Sequence, residues 1–346
     1  MQTTSGPVST TPPTLPELPR ELWQQVTPHM RNSVPLLRMR KKTLVDCVSV
    51  TVRNGTSVED IIRGLNAMLQ KGTTITNFHW NTFVLDAEVG PEEIQTLAPL
   101  VKRCKQTEIY ADVGRHATLS NVMSVLDAML RCDFKLAGLA MSGGHEGIEI
   151  RDEGMQQLAT ILANFGELKE LSLHKQYITG IGLALLKDAL ALNQHLAVLR
   201  LYNNDFRFDA GGLSIARIME QHTRRLRVLN LKYNNLGDAD AFLIAKNMQS
   251  CTVIKEVSLS INRLTDTGAF HFSETLLQCP SLTTLDLSYN CIQNTGALSF
   301  VPVLQQHGAL TVLNLKQNNI SATGKNALRD FPAAAVLPQN EDYFSD

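Results

Sequence analysis

The sequence predicts an α/β solenoid in which short parallel strands line the concave face and helices cover the convex face. Three observations lead to this fold: an apolar pattern that recurs along the chain, a nearly constant spacing between its copies, and an asparagine at a fixed place in most of them. One strand-plus-helix unit cannot bury its own apolar edge, so stacked neighbours must bury it. Strands lie inside the curve because they stack at ~4.8 Å whereas helices need ~10 Å.

The repeat is clearest in the second half of the chain. Six copies begin at residues 168, 196, 226, 254, 282 and 310, with start-to-start distances of 28, 30, 28, 28 and 28 residues. Each has apolar residues at its first, fourth, sixth and eleventh positions, as in LTTLDLSYNCI from Leu282. Weaker copies begin near Val45, Ile75, Gln106 and Leu136, which gives about ten repeats.

Each repeat predicts a strand followed by a turn and a helix. The apolar fourth and sixth positions alternate with polar ones, which is the period of a half-buried strand. The ninth position holds Gln176, Asn204, Asn234, Asn262, Asn290 and Asn318. An amide there can satisfy backbone groups that would otherwise be buried unpaired. Later residues such as DAGGLSIARIMEQH have apolar side chains three and four apart, which predicts a helix.

Composition divides the chain into four segments and limits its function. Residues 1–14, rich in Pro, Thr and Ser, are predicted to be a disordered leader. Residues 15–44 form an N-terminal helical cap or docking segment, 45–330 form the solenoid, and 331–346 form a tail. Lys and Arg number 32 against 33 Asp and Glu, a net charge of −1, which argues against a nucleic-acid partner.

Several classes of protein are not expected. No apolar run is long enough for a membrane-spanning helix, and the N-terminus has no signal-peptide pattern. The six cysteines form neither a disulfide framework nor a metal site, which favours reduced thiols and a cytoplasmic protein. The chain has no GxSxG, HExxH or GxxxxGK[ST] motif. We therefore expect a monomer that is not an enzyme and has no cofactor, metal or small-molecule substrate.

Binding on the concave face is the usual function of such a solenoid. The fifth and seventh positions of each repeat alternate with core positions and point into this face, and the eighth lies at its rim. The candidate partner-binding residues are His174, Lys175, Arg200, Tyr202, Lys232, Tyr233, Asp286, Tyr289 and Lys316. Tyr and Arg are typical interface hot-spot residues. About ten strands span roughly 43 Å, which fits a folded protein partner.

The pattern LxxLxLxxNxL at 28-residue spacing resembles the leucine-rich repeat family, in its long ribonuclease-inhibitor-like subtype. The resemblance is close over residues 168–330 and looser over 45–167. It implies a horseshoe-shaped solenoid and a protein–protein interaction function. Phe83 and Gly144 occupy the asparagine position of two early copies, so the strand register before residue 136 stays open.

The segment LPRELWQQV resembles the opening of an F-box, the module that docks substrate receptors onto a ubiquitin-ligase adaptor. That resemblance implies adaptor docking through Leu18, Pro19, Glu21, Leu22 and Val26. The segment before the first repeat is shorter than an F-box. The alternative is a cap that shields the apolar edge of the first repeat.

Two more resemblances concern the biological setting. The charge-poor, Thr/Ser/Pro-rich N-terminus resembles the leader of bacterial effectors that type III secretion delivers into host cells, which implies a host protein partner in the host cytoplasm. The repeat subtype is also that of the GTPase-activating protein for the nuclear-transport GTPase Ran. That family carries a strongly acidic C-terminal tail, whereas here only Glu341, Asp342 and Asp346 are acidic in the last residues.

Overall fold

The fold is known from a computed structural model. It describes residues 40–41, 47–52, 58–70, 74–85, 89–104, 106–113, 117–144 and 147–329. Strands and helices alternate along these residues, and the strands form one sheet while successive helices pack on one another. The predicted solenoid, with about ten strand-plus-helix units, is therefore confirmed. The predicted leader, most of the 15–44 segment and the 331–346 tail lie outside the described residues.

The sheet follows the order of the chain. Its strands are β1 (Arg40–Lys41), β2 (Cys47–Val52), β3 (Thr74–Leu85), β4 (Gln106–Val113), β5 (Leu136–Ser142), β6 (Glu170–His174), β7 (Val198–Arg200), β8 (Val228–Asn230), β9 (Glu256–Ser258), β10 (Thr284–Asp286) and β11 (Val312–Asn314). Strand β1 is antiparallel to β2, and all later neighbours are parallel. Parallel pairing places all strand starts at one edge of the solenoid and all strand ends at the other.

A helix follows each strand of the repeats. The described helices are α1 (Val58–Gln70), α2 (Pro91–Val101), α3 (Leu119–Arg131), α4 (Arg151–Leu162), α5 (Gly180–Leu190), α6 (Gly211–Gln221), α7 (Asp238–Met248), α8 (Asp266–Leu276), α9 (Asn294–Leu298), α10 (Val301–Leu304) and α11 (Ala322–Arg329). Helices α9 and α10 divide what is one helix in the preceding repeats. Pro302 accounts for the break, because proline has no N–H to donate within a continuous helix.

The apolar positions of the repeat form a continuous core. The fourth-position residues Leu171, Leu199, Leu229, Val257, Leu285 and Leu313 are fully buried. The eleventh position is also buried in every clear copy, as at Phe206 and Leu264. Each such side chain contributes about 1.5–3 kcal/mol through its removal from water.

The early repeats depart from the regular register through a bulge in β3. Trp80 pairs with Ile109 and Phe83 pairs with Ala111, so three residues of β3 advance against two of β4. An extra residue reverses which side chains face the core. Phe83 is consequently buried, and it belongs to the core rather than to the asparagine position where the sequence pattern places it.

The asparagine positions form a ladder that joins successive turns. The Asn262 side-chain amide donates to the carbonyls of Leu231 and Leu259, both at 3.0 Å. Its Oδ1 accepts the N–H of Asn234 at 3.1 Å and of Leu236 at 2.9 Å. Amides at the other ninth positions bond the same way, namely at Gln176, Asn204, Asn234, Asn290 and Asn318. The amide thus satisfies buried backbone groups, as the sequence predicts.

A second ladder joins the helix starts and explains the recurring glycine. Asp238 Oδ1 accepts the N–H of Thr265 at 2.8 Å and of Gly268 at 2.9 Å. A Cβ added to Gly268 would lie 2.5 Å from that oxygen, so any side chain there would displace the Asp238 carboxylate that makes these hydrogen bonds. The same close approach to the preceding repeat recurs at Gly182, Gly296 and Gly324.

Three buried thiols and one buried histidine in this core are held uncharged. Burial raises the pKa of Cys104 and Cys251 to about 11 and that of Cys279 to about 12. These thiols stay protonated at neutral pH, so they fill space rather than act as nucleophiles. Burial lowers the pKa of His222 to about 4, which keeps its ring neutral.

Candidate partner-binding face

The residues selected from the sequence lie on one face of β6–β11 and on its rim. Pairing aligns the fifth positions of successive repeats, which are Ser172, Arg200, Asn230, Ser258, Asp286 and Asn314. The seventh and eighth positions follow at the ends of the same strands. Most of the nine candidates are at least partly exposed there, and Asp286 is the buried exception.

At the β6–β7 end of this face, contacts fix the candidate side chains. The rings of His174 and Tyr202 stack with centroids 3.9 Å apart and planes 21° from parallel. Ser142 Oγ lies 3.2 Å from His174 Nδ1. Arg200 lies 3.8 Å from a carboxylate oxygen of Glu170. An exposed ion pair adds little stability, but ordered side chains lose less entropy on binding a partner.

Asp286 differs from the other candidates. Its side chain is 7 % exposed, and its Oδ1 accepts the backbone N–H of Ser288 at 3.0 Å and the Ser288 hydroxyl at 2.7 Å. Ser258 and Ser260 are also buried on this face. The polar side chains of this face are short and buried at β9 and β10, so these two strands form a low polar floor. Asp286 organises this floor instead of projecting from it.

The eighth position of each repeat has a left-handed backbone. The φ angles of Lys175, Asn203, Tyr233, Ile261, Tyr289 and Gln317 lie between 51° and 60°. In the first five of these residues the N–H donates to the next repeat: that of Tyr233 donates to Ser260 O at 2.9 Å and that of Tyr289 to Lys316 O at 2.8 Å. This conformation costs a residue with a Cβ roughly 1–2 kcal/mol, whereas glycine adopts it readily.

Two tyrosines have this strained, left-handed backbone conformation. Tyr233 and Tyr289 are 53 % and 51 % exposed, and Ile261 lies between them in the intervening repeat. We call these three residues the tyrosine rim. The sequence pattern places both tyrosines at the rim but does not reveal their φ angles, because the asparagine ladder imposes the turn.

A second exposed aromatic surface lies on the helices. Phe242 of α7 and Phe270 of α8 are 45 % and 49 % exposed. The Phe242 ring contacts the His271 ring edge-on at a centroid distance of 5.0 Å. Sequence reasoning missed this surface because apolar residues at helical spacing are predicted to be buried in the core.

The described part of the chain offers neither a metal site nor a membrane-spanning helix. It contains no group of three His, Cys, Asp or Glu side chains that could hold a metal ion. None of its helices is long and apolar enough to cross a bilayer. The residues predicted for adaptor docking lie outside the described residues, namely Leu18, Pro19, Glu21, Leu22 and Val26.

These features define a leucine-rich-repeat solenoid. The leucine-rich repeat family model matches residues 224–245 and 278–301, which fall within the regular copies. No curated protein matches the chain in sequence.

Solved structures of other proteins are similar in fold. An internalin from Listeria monocytogenes is 14 % identical, with 85 % of this chain and 88 % of that chain covered and a TM-score of 0.40. The Rad7 and Elc1 complex of yeast is 13 % identical over 81 % and 88 %, with a TM-score of 0.33. Actin-binding site 2 of leiomodin-1 is 16 % identical over 51 % and 85 %, with a TM-score of 0.32. At these identities the likeness concerns the fold alone.

Proposed function

We propose that this chain is a non-enzymatic binding protein that recognises a folded protein partner through the concave face of β6–β11. The leucine-rich-repeat fold supports protein–protein interaction in general. The tyrosine rim supports the concave face in particular. Folding alone would favour glycine or asparagine at its φ angles, yet the rim carries large, half-exposed side chains.

The shape and charge of the face suggest the chemistry of the partner. The floor of β9 and β10 is lined by short polar side chains, and the rim beside it carries two tyrosines. Lys232 directly precedes Tyr233, and Lys316 follows at the end of β11. A protruding partner segment with an apolar side chain and flanking carboxylates would fit between them.

The biological setting is inferred from the sequence alone, through its cysteine usage and its resemblances. We place the interaction in the cytoplasm, with the chain as a monomer, and in the host cytoplasm if the chain is a translocated effector. No described residue favours adaptor docking or GTPase activation.

The tyrosine rim gives a test in which binding and stability change in opposite directions. In a Tyr233→Gly, Tyr289→Gly variant, we expect partner binding to fall at least a hundredfold, because each tyrosine is a hot-spot candidate of about 2 kcal/mol. We expect the free energy of unfolding to stay level or rise, because glycine relieves the left-handed strain. Quantitative affinity purification from a eukaryotic extract measures binding, and denaturant titration measures stability.

Gln317→Gly is the matched control, since it changes the same backbone position without removing an aromatic ring. It should retain the wild-type partners. If the double glycine variant recovers the same partners in the same amounts, the concave face is not the binding surface.

A further inference from the structure

The edge of the solenoid where each helix leads into the next strand carries an unusual set of exposed residues. They are Leu192, Arg224, Arg225, Arg227, Lys255 and Leu277, and together they are called the basic edge. We propose that the basic edge docks the protein onto an anionic phospholipid bilayer. This surface is separate from the concave face, and the inference does not depend on the function proposed above.

The backbone brings these residues to one edge. Arg227 N donates to Ala197 O at 2.7 Å, and Lys255 N donates to Arg227 O at 2.7 Å. Thr283 N continues the series with a 2.8 Å bond to Lys255 O. Successive connecting segments therefore lie side by side, and exposed side chains on them form one continuous strip.

The cations of the basic edge form no ion pairs among the described residues. The segments between each helix end and the next strand are 191–197, 222–227, 249–255, 277–283 and 305–311, and they contain no Asp or Glu. The acid next to them is Glu256, the first residue of β9, whose backbone N–H donates to Arg227 O at 3.0 Å. Glu220, at the end of α6, accepts from Arg217 at 2.6 Å. Among the described residues, no ion pair joins a carboxylate to any of the four cations. Their N–H donors face solvent, and the arginine fork suits phosphate oxygens.

Neighbouring repeats indicate that the fold does not require these cations. Where one repeat has Arg227, others have Ala197, Thr283 or Thr311. A helix dipole favours cations in the last turn, but Arg224 and its neighbours lie beyond the end of α6 at Gln221. Capping of the helix therefore does not account for three arginines within four residues.

The fold does not require the two leucines of the basic edge either. Leu192 is 70 % exposed, and Leu277 is about half exposed. Ser250 and Gln278 occupy the place of Leu192 in later repeats, and Gln249 occupies the place of Leu277. The repeat accepts polar residues at both places, so leucine there is explained by a surface other than the core.

A bilayer matches this combination better than other anionic partners do. Its surface offers phosphate and carboxylate groups to the arginines, and the adjacent acyl layer accepts the flanking leucines. Single-stranded nucleic acid is bound through aromatic stacking platforms, and the five connecting segments contain no Phe, Tyr or Trp.

Vesicle co-sedimentation of the full chain tests the proposal. We expect binding to phosphatidylcholine vesicles that contain about 30 % phosphatidylserine, no binding to pure phosphatidylcholine, and weaker binding as salt is raised. Arg224→Gln, Arg225→Gln, Arg227→Gln should weaken binding about a hundredfold, since each charge contributes roughly fivefold. The control Arg217→Gln, Lys246→Gln, Arg263→Gln removes three exposed cations elsewhere and should bind as the wild type does.

A variant without the two leucines distinguishes binding to a bilayer from binding to other polyanions. Leu192→Gln, Leu277→Gln should lower vesicle binding several-fold, and, because glutamine and serine occupy these places in other repeats, it should leave the unfolding midpoint unchanged. The Tyr233→Gly, Tyr289→Gly variant should bind vesicles normally. The proposal is overturned if wild type ignores anionic vesicles, if both triple variants bind equally, or if the leucine variant binds fully while polyglutamate or single-stranded DNA competes the vesicles away.

Discussion

We expect Leu287→Asp to unfold the C-terminal repeats together, with a loss of at least about 4 kcal/mol in the free energy of unfolding. Leu287 is fully buried at the sixth position of its repeat. Its carbonyl accepts the side-chain amides of Asn290 at 3.0 Å and Asn318 at 2.9 Å, so a shift here also disturbs two steps of the ladder. Because repeats stabilise one another through nearest-neighbour contacts, the damage should extend into adjacent strands. Denaturant titration with hydrogen exchange measures its size and extent.

Asn314→Asp is the matched control, because it adds the same charge one strand away. Asp286 already occupies the equivalent fifth position in the preceding repeat, where its carboxylate accepts backbone and hydroxyl hydrogens. We expect a change below about 1 kcal/mol. A Leu287→Asp protein that unfolds at the wild-type midpoint would mean that the strand register described above is wrong.

Asn262→Asp should destabilise the solenoid by about 3–5 kcal/mol, although the two side chains have nearly the same shape. The amide NH₂ of Asn262 donates to three backbone carbonyls, and a carboxylate would place an oxygen against each of them. The carbonyl groups would lose their donors, and a charge would be buried without a partner. Thermal and denaturant unfolding measure the loss.

Asn203→Asp serves as its control. Asn203 is also an asparagine in the turn that follows a strand, but it is only half-buried. Its backbone is left-handed, a conformation that Asp tolerates. Its substitution should be nearly neutral. Equal losses from the two variants would show that the ladder does not contribute the stability assigned to it.

The sequence was informative where the repeat is regular. From residue 168 onward, the period of 28 residues and the alternation within each strand predict the core positions correctly, as at Leu285 and Leu313. It was less informative in β3, because one extra residue reverses the facing of Phe83 without leaving a local signature. The split between α9 and α10 could have been read from Pro302, which breaks a continuous helix.

The binding face was only partly predictable for physical reasons. Alternation places the candidate side chains on the correct side of the strands, but it does not report how deeply neighbours cover them. Asp286 is buried, with its carboxylate hydrogen-bonded to Ser288 and its position in the sheet between Ser258 of β9 and Asn314 of β11, which is a property of three strands together. The left-handed turn at Tyr233 is imposed by the ladder of amides, so the presence of a tyrosine at this position does not predict the turn.

Site-specific photo-crosslinking tests the central claim of a concave binding face most directly. Benzoylphenylalanine is placed singly at Tyr233 or Tyr289, and at Phe242 or Phe270 as controls on the helical face that are exposed to a similar degree. After irradiation in a eukaryotic extract, we expect discrete adducts from the two tyrosine positions. An excess of wild-type chain should compete these adducts away, whereas an excess of the Tyr233→Gly, Tyr289→Gly variant should not. Adducts from Phe242 and Phe270, with none from the rim, would move the binding surface to the helices and contradict the account.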